Sequence, residues 1–294
     1  MDISISRRQA LAAAGLASMA AAAPSAFAAP AWDTPFDVHA HMEPGTPDYA
    51  PFGTLAQMVN QHYDERLQYM DRNGILRSAV SAGYRYRRAE GIANTRAMND
   101  MIAGLVAKNP QRFPVGIGVV QVSDGDASLR ELERMARDLK LRGVGWHHAD
   151  EGAYIDNAFM RPLLRQVQAL GLIPFIHVRE REYEAWWRLD VLAGEFPDLT
   201  FVAMSGITTT DDREHGVEIM QRRKNILMDT APAIYGGDQF LQNLVRRIGG
   251  DRMLFGTDSN PTLTLEVIRR SALSDVDKKQ ILSGNTAKLF GLPD

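Results

Sequence analysis

The sequence predicts a single (β/α)8 barrel, and three observations carry that expectation. Eight short apolar runs recur from residue 36 to residue 258, helical segments separate them, and the composition is that of an ordinary globular enzyme. The 294 residues are 45% hydrophobic and 23% charged, enough for one large α/β domain. The runs are "FDVHAH", "ILRSAVSA", "FPVGIGVV", "RGVGWHH", "LIPFIHV", "LTFVAM", "NILMDT" and "RMLFGTD". Their nearly continuous apolar character fits strands covered on both faces, as in a parallel sheet. A doubly wound open sheet is the competing arrangement, but no Gly-rich phosphate fingerprint follows the first run.

Residues 1–28 stand apart from that pattern. Arg7 and Arg8 precede an Ala/Leu-rich stretch that closes on Ala26-Phe27-Ala28, a small-x-small cleavage pattern. The stretch is weakly hydrophobic and ended by Pro24, which reads as a cleaved leader rather than a membrane span. "SRRQAL" resembles the bacterial twin-arginine export signal, lacking only the usual aromatic residue at Ala10. The expectation is a leader over 1–28 and a periplasmic barrel domain over 29–294.

The helices follow in order. Leu55, Met58, Val59, His62, Tyr63, Leu67 and Met70 share one helical face. Thr54 with Gln57, and Ser128 with Glu131, have capping-box spacing. Further helices are expected over 162–170, 182–196 and 239–248, and two short ones close the chain, the first opened by Ser274 and Asp277. No repeat, low-complexity stretch or linker interrupts residues 31–294.

There is no cysteine, so any metal must be held by His, Asp or Glu. The formal net charge of −3 gives no sign of a nucleic-acid or anionic-membrane partner. In a barrel of this kind the active site is built at the C-terminal strand ends. Five of the seven histidines fall there: His39 and His41 on the first run, His147 and His148 on the fourth, and His177 on the fifth. Asp258 ends the eighth. Residues two apart on a strand share a face, so His39 and His41 project together, a sensible pair of nitrogen donors for zinc or manganese. His62 and His215 lie on helical segments and read as surface or packing residues.

"FDVHAHM", "LIPFIHV", "GDRMLFGTDSNP" and the closing "ILSGNTAKLFGL" resemble the amidohydrolase superfamily. The branch is the one related to aminocarboxymuconate-semialdehyde decarboxylase, often labelled "amidohydrolase 2". "MDRNGILRSAV", "NPQRFPVGIGVV" and "FPDLTFVAMSG" extend the likeness over nearly the whole barrel segment. The resemblance implies one divalent ion, zinc before manganese, held by His39, His41, His177 and Asp258. It places His147 near the ion without making it a main ligand. One departure stands out: the family's strand-six histidine, which activates the attacking water, is replaced by Ser205. A serine hydroxyl cannot take that proton near neutral pH without a base of its own. Asp258 would then act as both ligand and base, with His147 or His148 as further groups within reach.

Arg85, Arg87 and Arg88 after the second strand would clamp a substrate carboxylate or form a solvated basic loop. Trp146 at a strand end lines the pocket or packs. Arg179 and Glu180 are more simply read as helix-start charges, and Asp229 either supports a ligand or caps a turn. The leading expectation is a metal-dependent hydrolase of a small ester, lactone or amide. A nonoxidative decarboxylase of a small unsaturated or aromatic acid is the alternative, a metal-independent lactonase a variant, and a non-catalytic binding barrel the reading from another class. The expected partners are a small-molecule substrate and a second copy of the chain in a homodimer, with neither nucleic acid nor stable membrane insertion.

Overall fold

The computed structural model describes residues 30–41, 55–81, 88, 90–179, 182–207, 210–231, 236–258 and 261–293. The expected leader, Thr54, Arg85, Arg87 and Glu180 lie outside the described residues. Residues 32–294 form one compact unit.

Eight strands run in parallel in the order in which they occur: β1 (Phe36–Asp37), β2 (Arg77–Ser81), β3 (Val115–Val119), β4 (Gly143–Trp146), β5 (Ile173–His177), β6 (Phe201–Met204), β7 (Ile226–Asp229) and β8 (Met253–Leu254). Val38 N–H donates to Phe255 O at 2.8 Å, joining the first strand to the last. With helices between successive strands, this is the (β/α)8 barrel expected from the alternation.

β1 and β8 are shorter than their apolar runs. Beyond Asp37 and Leu254 the backbone leaves regular pairing, and His39 O instead accepts from Thr257 N–H and Asp258 N–H at 3.2 and 2.8 Å. The first and last chemistry-bearing segments are therefore bonded to each other directly.

Side chains fill the barrel. Phe36, Val38, Ala79, Val115, Ile117, Phe175, Val202, Met204 and Leu254 form one buried cluster with Phe290 from the C-terminal helix Asn285–Phe290. The Phe175 and Phe290 rings stack nearly parallel, with centroids 6.4 Å apart. Arg142, at the start of β4, donates to Phe290 O at 2.6 Å, which places that plug at the N-terminal mouth. Gly118 shows why β3 reads "VGIGV". A Cβ there would lie 2.6 Å from Met135 Cε and 2.7 Å from Asn99 Oδ1, so the covering helices press directly on the strand.

Two helix starts differ in their fate. Ser274 caps its helix as expected, its Oγ accepting from Asp277 N–H at 3.1 Å. Ser128 does not cap: Gly125 precedes the helix Asp126–Arg137, and Ser128 Oγ donates to Gln121 O at 2.7 Å. Glu131 is drawn into the interior instead, accepting from Asn99 Nδ2 at 2.9 Å and from Arg134 at 2.7 Å. The helix expected over 182–196 begins only at Trp186, where Glu184 O already accepts from Arg179 N–H at 2.9 Å instead of from a helical turn. Among the described residues no helix is long and apolar enough to cross a membrane.

Phe175 is fully buried at the barrel's centre, so Phe175→Ala is expected to cost about 3–5 kcal/mol. Urea unfolding should show a lowered midpoint with an unchanged slope.

Candidate metal centre

The site grows from the junction of β1 and β8. Asp37, fully buried, pairs with Arg66 of the helix Leu55–Asn73 and accepts from Thr257 Oγ1 at 2.5 Å. Its other oxygen accepts from His39 N–H at 3.1 Å and Thr257 N–H at 3.2 Å. One carboxylate thus fixes the backbone that carries His39 and the backbone that leads to Asp258. Asp258 sits at φ +50, a left-handed conformation uncommon for a residue other than glycine.

His39, His41 and Asp258 come together there, each offering a ligand atom within 4.8 Å of the others. The two Nε2 atoms are 3.0 Å apart, and His41 Nε2 is 3.6 Å from Asp258 Oδ1. The tautomers follow from what holds the other nitrogens. His39 Nδ1 contacts Asp229, whose ionised carboxylate can only accept, so the ring proton is on Nδ1. Ser81 Oγ gives its proton to Ala40 O at 3.0 Å, so its contact with His41 Nδ1 at 3.2 Å makes the oxygen an acceptor there too. When both rings are neutral, both Nε2 atoms carry lone pairs, facing each other beside a carboxylate. That donor set fits a divalent cation, with Asp229 and Ser81 orienting the two imidazoles from behind.

Burial pulls the His39 imidazole down, but the adjacent Asp229 carboxylate outweighs it and raises the pKa to about 9. Without an ion the pocket therefore keeps a second proton on that ring at neutral pH, and a cation would displace it from Nε2. Asp229 is the support foreseen as one of two alternatives, and its Oδ1 also accepts from Ser205 N–H and Ala231 N–H at 3.2 and 3.3 Å. Ser205 turns its N–H to Asp229 from a left-handed φ of +56, and its buried Oγ has no hydrogen-bond partner among the described residues.

His177 does not join that trio. It belongs to a second group with His147 and Glu184. The His147 and His177 rings stack with centroids 3.9 Å apart, and their Nδ1 atoms each lie 3.0 Å from one oxygen of Glu184. Burial pushes His177 down to about 4, so it is neutral at pH 7. Against its own burial, Glu184 is held well below the usual carboxylate range by the two imidazoles. The four-ligand set His39, His41, His177 and Asp258 is thus split in this structure between the β1–β8 junction and the β4–β5 ends.

The remaining expected residues separate in the same way. His147 faces His177, whereas His148 opens a short helix, is fully buried, and has no hydrogen-bond partner on either ring nitrogen among the described residues. Burial lowers its pKa to about 3. Trp146 packs with Val144 in the helix-facing core, because Gly143 and Gly145 hold the inward positions of β4; this replaces the pocket-wall expectation with packing. Arg88 pairs with Asp124 at 2.8 Å and donates to Ser123 Oγ at 3.2 Å. Glu184, Asp37, Arg66 and Ser81 were not singled out from sequence. Asp37 alternates with His39 and His41 in "FDVHAH", a usable signal, whereas Glu184 in the charged run "REREYE" looks like surface.

Two measurements test this geometry. Asp229→Asn should weaken metal affinity by about 10–100-fold, because the amide no longer fixes the His39 tautomer; chelator competition reads it. His148 binds a proton far less readily folded than its ordinary 6.5, so stability should be full above about pH 6.5 and fall as the pH drops toward 3. His148→Asn should flatten part of that slope in thermal melts recorded from pH 4 to 7.

The comparisons with known proteins match the architecture. A decarboxylase from Dictyostelium discoideum, 2-amino-3-carboxymuconate-6-semialdehyde decarboxylase, is 22% identical over 277 residues, covering 78% of this chain and 76% of its own. The crystal structure of 5-carboxyvanillate decarboxylase from Sphingomonas paucimobilis superposes with a TM-score of 0.70 at 19% identity, covering 88% of this chain and 99% of that one. The Novosphingobium aromaticivorans 5-carboxyvanillate decarboxylase, solved with manganese, gives 0.69 at 16% identity, covering 88% and 96%. The family model described as Amidohydrolase matches residues 36–292, from the first residue of β1 to just past the last helix. The chain belongs to the amidohydrolase family and is a metal-dependent enzyme built on a (β/α)8 barrel.

Proposed function

We propose that the chain is a metal-dependent nonoxidative decarboxylase of a small unsaturated or aromatic carboxylic acid. The observation that carries this reading is Ser205 at the end of β6, beside a centre whose partly exposed acid–base group is Asp258. Decarboxylation needs one proton transfer: the bond to the carboxylate breaks, carbon dioxide leaves, and the carbon takes a proton. Hydrolysis needs two, one from water and one to the leaving group, and Ser205 supplies neither without its own base. The three relatives named above are decarboxylases, and two of them act on an aromatic carboxylate.

The ion, when bound by His39, His41 and Asp258, supplies Lewis-acid polarisation of substrate oxygen. His177 is the fourth ligand in this reading, as the family resemblance implies. Asp258 delivers the proton, and its side chain, 32% exposed, stands where substrate enters. Ser205 Oγ, without a hydrogen-bond partner among the described residues, donates to the substrate, and Arg85 and Arg87, which follow β2 in the sequence, pair with its carboxylate in this reading. Zinc suits the nitrogen-rich donor set, and manganese is the ion of the Novosphingobium relative. Residues 1–28 we read as an export leader, which places this chemistry in the periplasm.

Hydrolysis of a small ester, lactone or amide is the second reading, favoured by the access of solvent to Asp258. A panel of small aromatic and unsaturated acids, esters and lactones separates the two. Release of carbon dioxide from an acid, stoichiometric with its loss, is expected; turnover of esters or lactones alone would overturn the decarboxylase reading. With the active substrate in hand, Asp258→Asn should cost about 10²–10⁴-fold in rate, and Ser205→Ala less than about tenfold. N-terminal sequencing of exported protein should begin near Ala29.

A further inference from the structure

We propose that Thr257 is a positioning residue: its hydroxyl, bonded to Asp37, holds Asp258 in the backbone conformation that presents the Asp258 carboxylate to His39 and His41. The inference rests on the metal-dependent reading above and adds to it the group that keeps the acidic ligand in place.

The segment Gly256-Thr257-Asp258 follows β8, and each position has its own task. Gly256 lets the chain pass close to the centre. A Cβ there would lie 2.9 Å from both Asp229 Cβ and His39 Cβ, so any larger residue would push those two side chains apart. Thr257 is buried and makes two bonds to one carboxylate: its N–H donates to Asp37 Oδ1 at 3.2 Å, and its Oγ1 donates to Asp37 Oδ2 at 2.5 Å. The same N–H also reaches His39 O at 3.2 Å, and the N–H of Asp258 donates to that carbonyl at 2.8 Å. Asp258 then takes its left-handed φ of +50.

A residue other than glycine is held in that region by its surroundings rather than by its own preference. The residue before Asp258 is pinned through both its backbone and its side chain, so the chain enters Asp258 in one orientation. The anchor is firm: Asp37 is fully buried, pairs with Arg66 and accepts from His39 N–H at 3.1 Å. Arg66 donates in turn to Ser78 Oγ on β2 at 3.2 Å. The outcome is an Asp258 Oδ1 that stands 3.6 Å from His41 Nε2. A purely structural role would give the hydroxyl only the task of satisfying Asp37. That carboxylate already has Arg66 as counter-charge and two backbone N–H groups as donors. What the hydroxyl adds is a direct link from the anchor to the side chain preceding the ligand.

The test uses the full-length protein loaded with cobalt(II), whose visible spectrum reports the groups bound to the ion. In Thr257→Val, close in shape but without the hydroxyl, cobalt affinity read by chelator competition should fall about 10–100-fold, and the visible band should shift. Thr257→Ser, which restores the hydroxyl, should return both to the wild-type values. Thr257→Ala carries the same expectation as the valine variant and serves if that one fails to fold. Thr257→Val combined with Asp258→Ala should cost no more affinity than Asp258→Ala alone, because the hydroxyl acts through that ligand. A lower melting temperature with unchanged cobalt affinity and spectrum, or full additivity of the two changes, would overturn the proposal while leaving the metal reading intact. A wild type that binds no cobalt would defeat the metal reading, and the proposal with it.

Discussion

The candidate centre depends on where two protons sit. If His39 and His41 carry them on Nδ1, the facing Nε2 atoms are both electron-pair donors, and only a positive charge between them and Asp258 relieves the arrangement. The protein fixes those protons from outside the centre, through the Asp229 carboxylate and the Ser81 hydroxyl. The barrel makes this possible: β2, next to β1, brings Ser81, and β7, next to β8, brings Asp229. Closure of the barrel and assembly of the centre are the same event, since His39 O is the acceptor for Asp258 N–H.

Buried carboxylates run through the whole device. Asp37 holds the backbone of the β1 and β8 ends with Arg66 as its counter-charge, Asp229 holds His39, and Glu184 stands between His147 and His177. Each is fully buried, which is costly unless a partner compensates it. Asp37 has an arginine. Asp229 and Glu184 have imidazoles, so their charge is balanced more completely once a cation occupies the adjacent centre. Metal binding and stability are linked in such a site, and occupancy should raise the melting temperature.

The fold was legible from sequence because it rests on features that repeat: eight apolar runs and the helices between them. The clustering of histidines at strand ends was legible for the same reason, since strand number and strand end suffice to place them. What sequence could not supply was the pairing behind the ligands. Asp229 and His39 are 190 positions apart, and Glu184 lies in a run of charges that on composition alone belongs to the surface. Trp146 illustrates the opposite error, because being at a strand end does not say which face a side chain takes; the glycines on either side of Val144 decide it. Ser128 and Glu131 have the spacing of a cap, but a buried asparagine and two arginines claim the glutamate first. The four-ligand set was read by likeness. The protein brings three of those residues together and holds the fourth, His177, against Glu184.

The most direct measurement is a crystal structure of the purified protein with the bound ion located by anomalous scattering at a wavelength chosen for zinc or manganese. One strong peak within bonding distance of His39 Nε2, His41 Nε2 and Asp258 is the predicted result, with the Nδ1 atoms of both histidines still on Asp229 and Ser81. A fully metallated protein with its peak elsewhere, or a histidine bonded to the ion through Nδ1, would contradict the account.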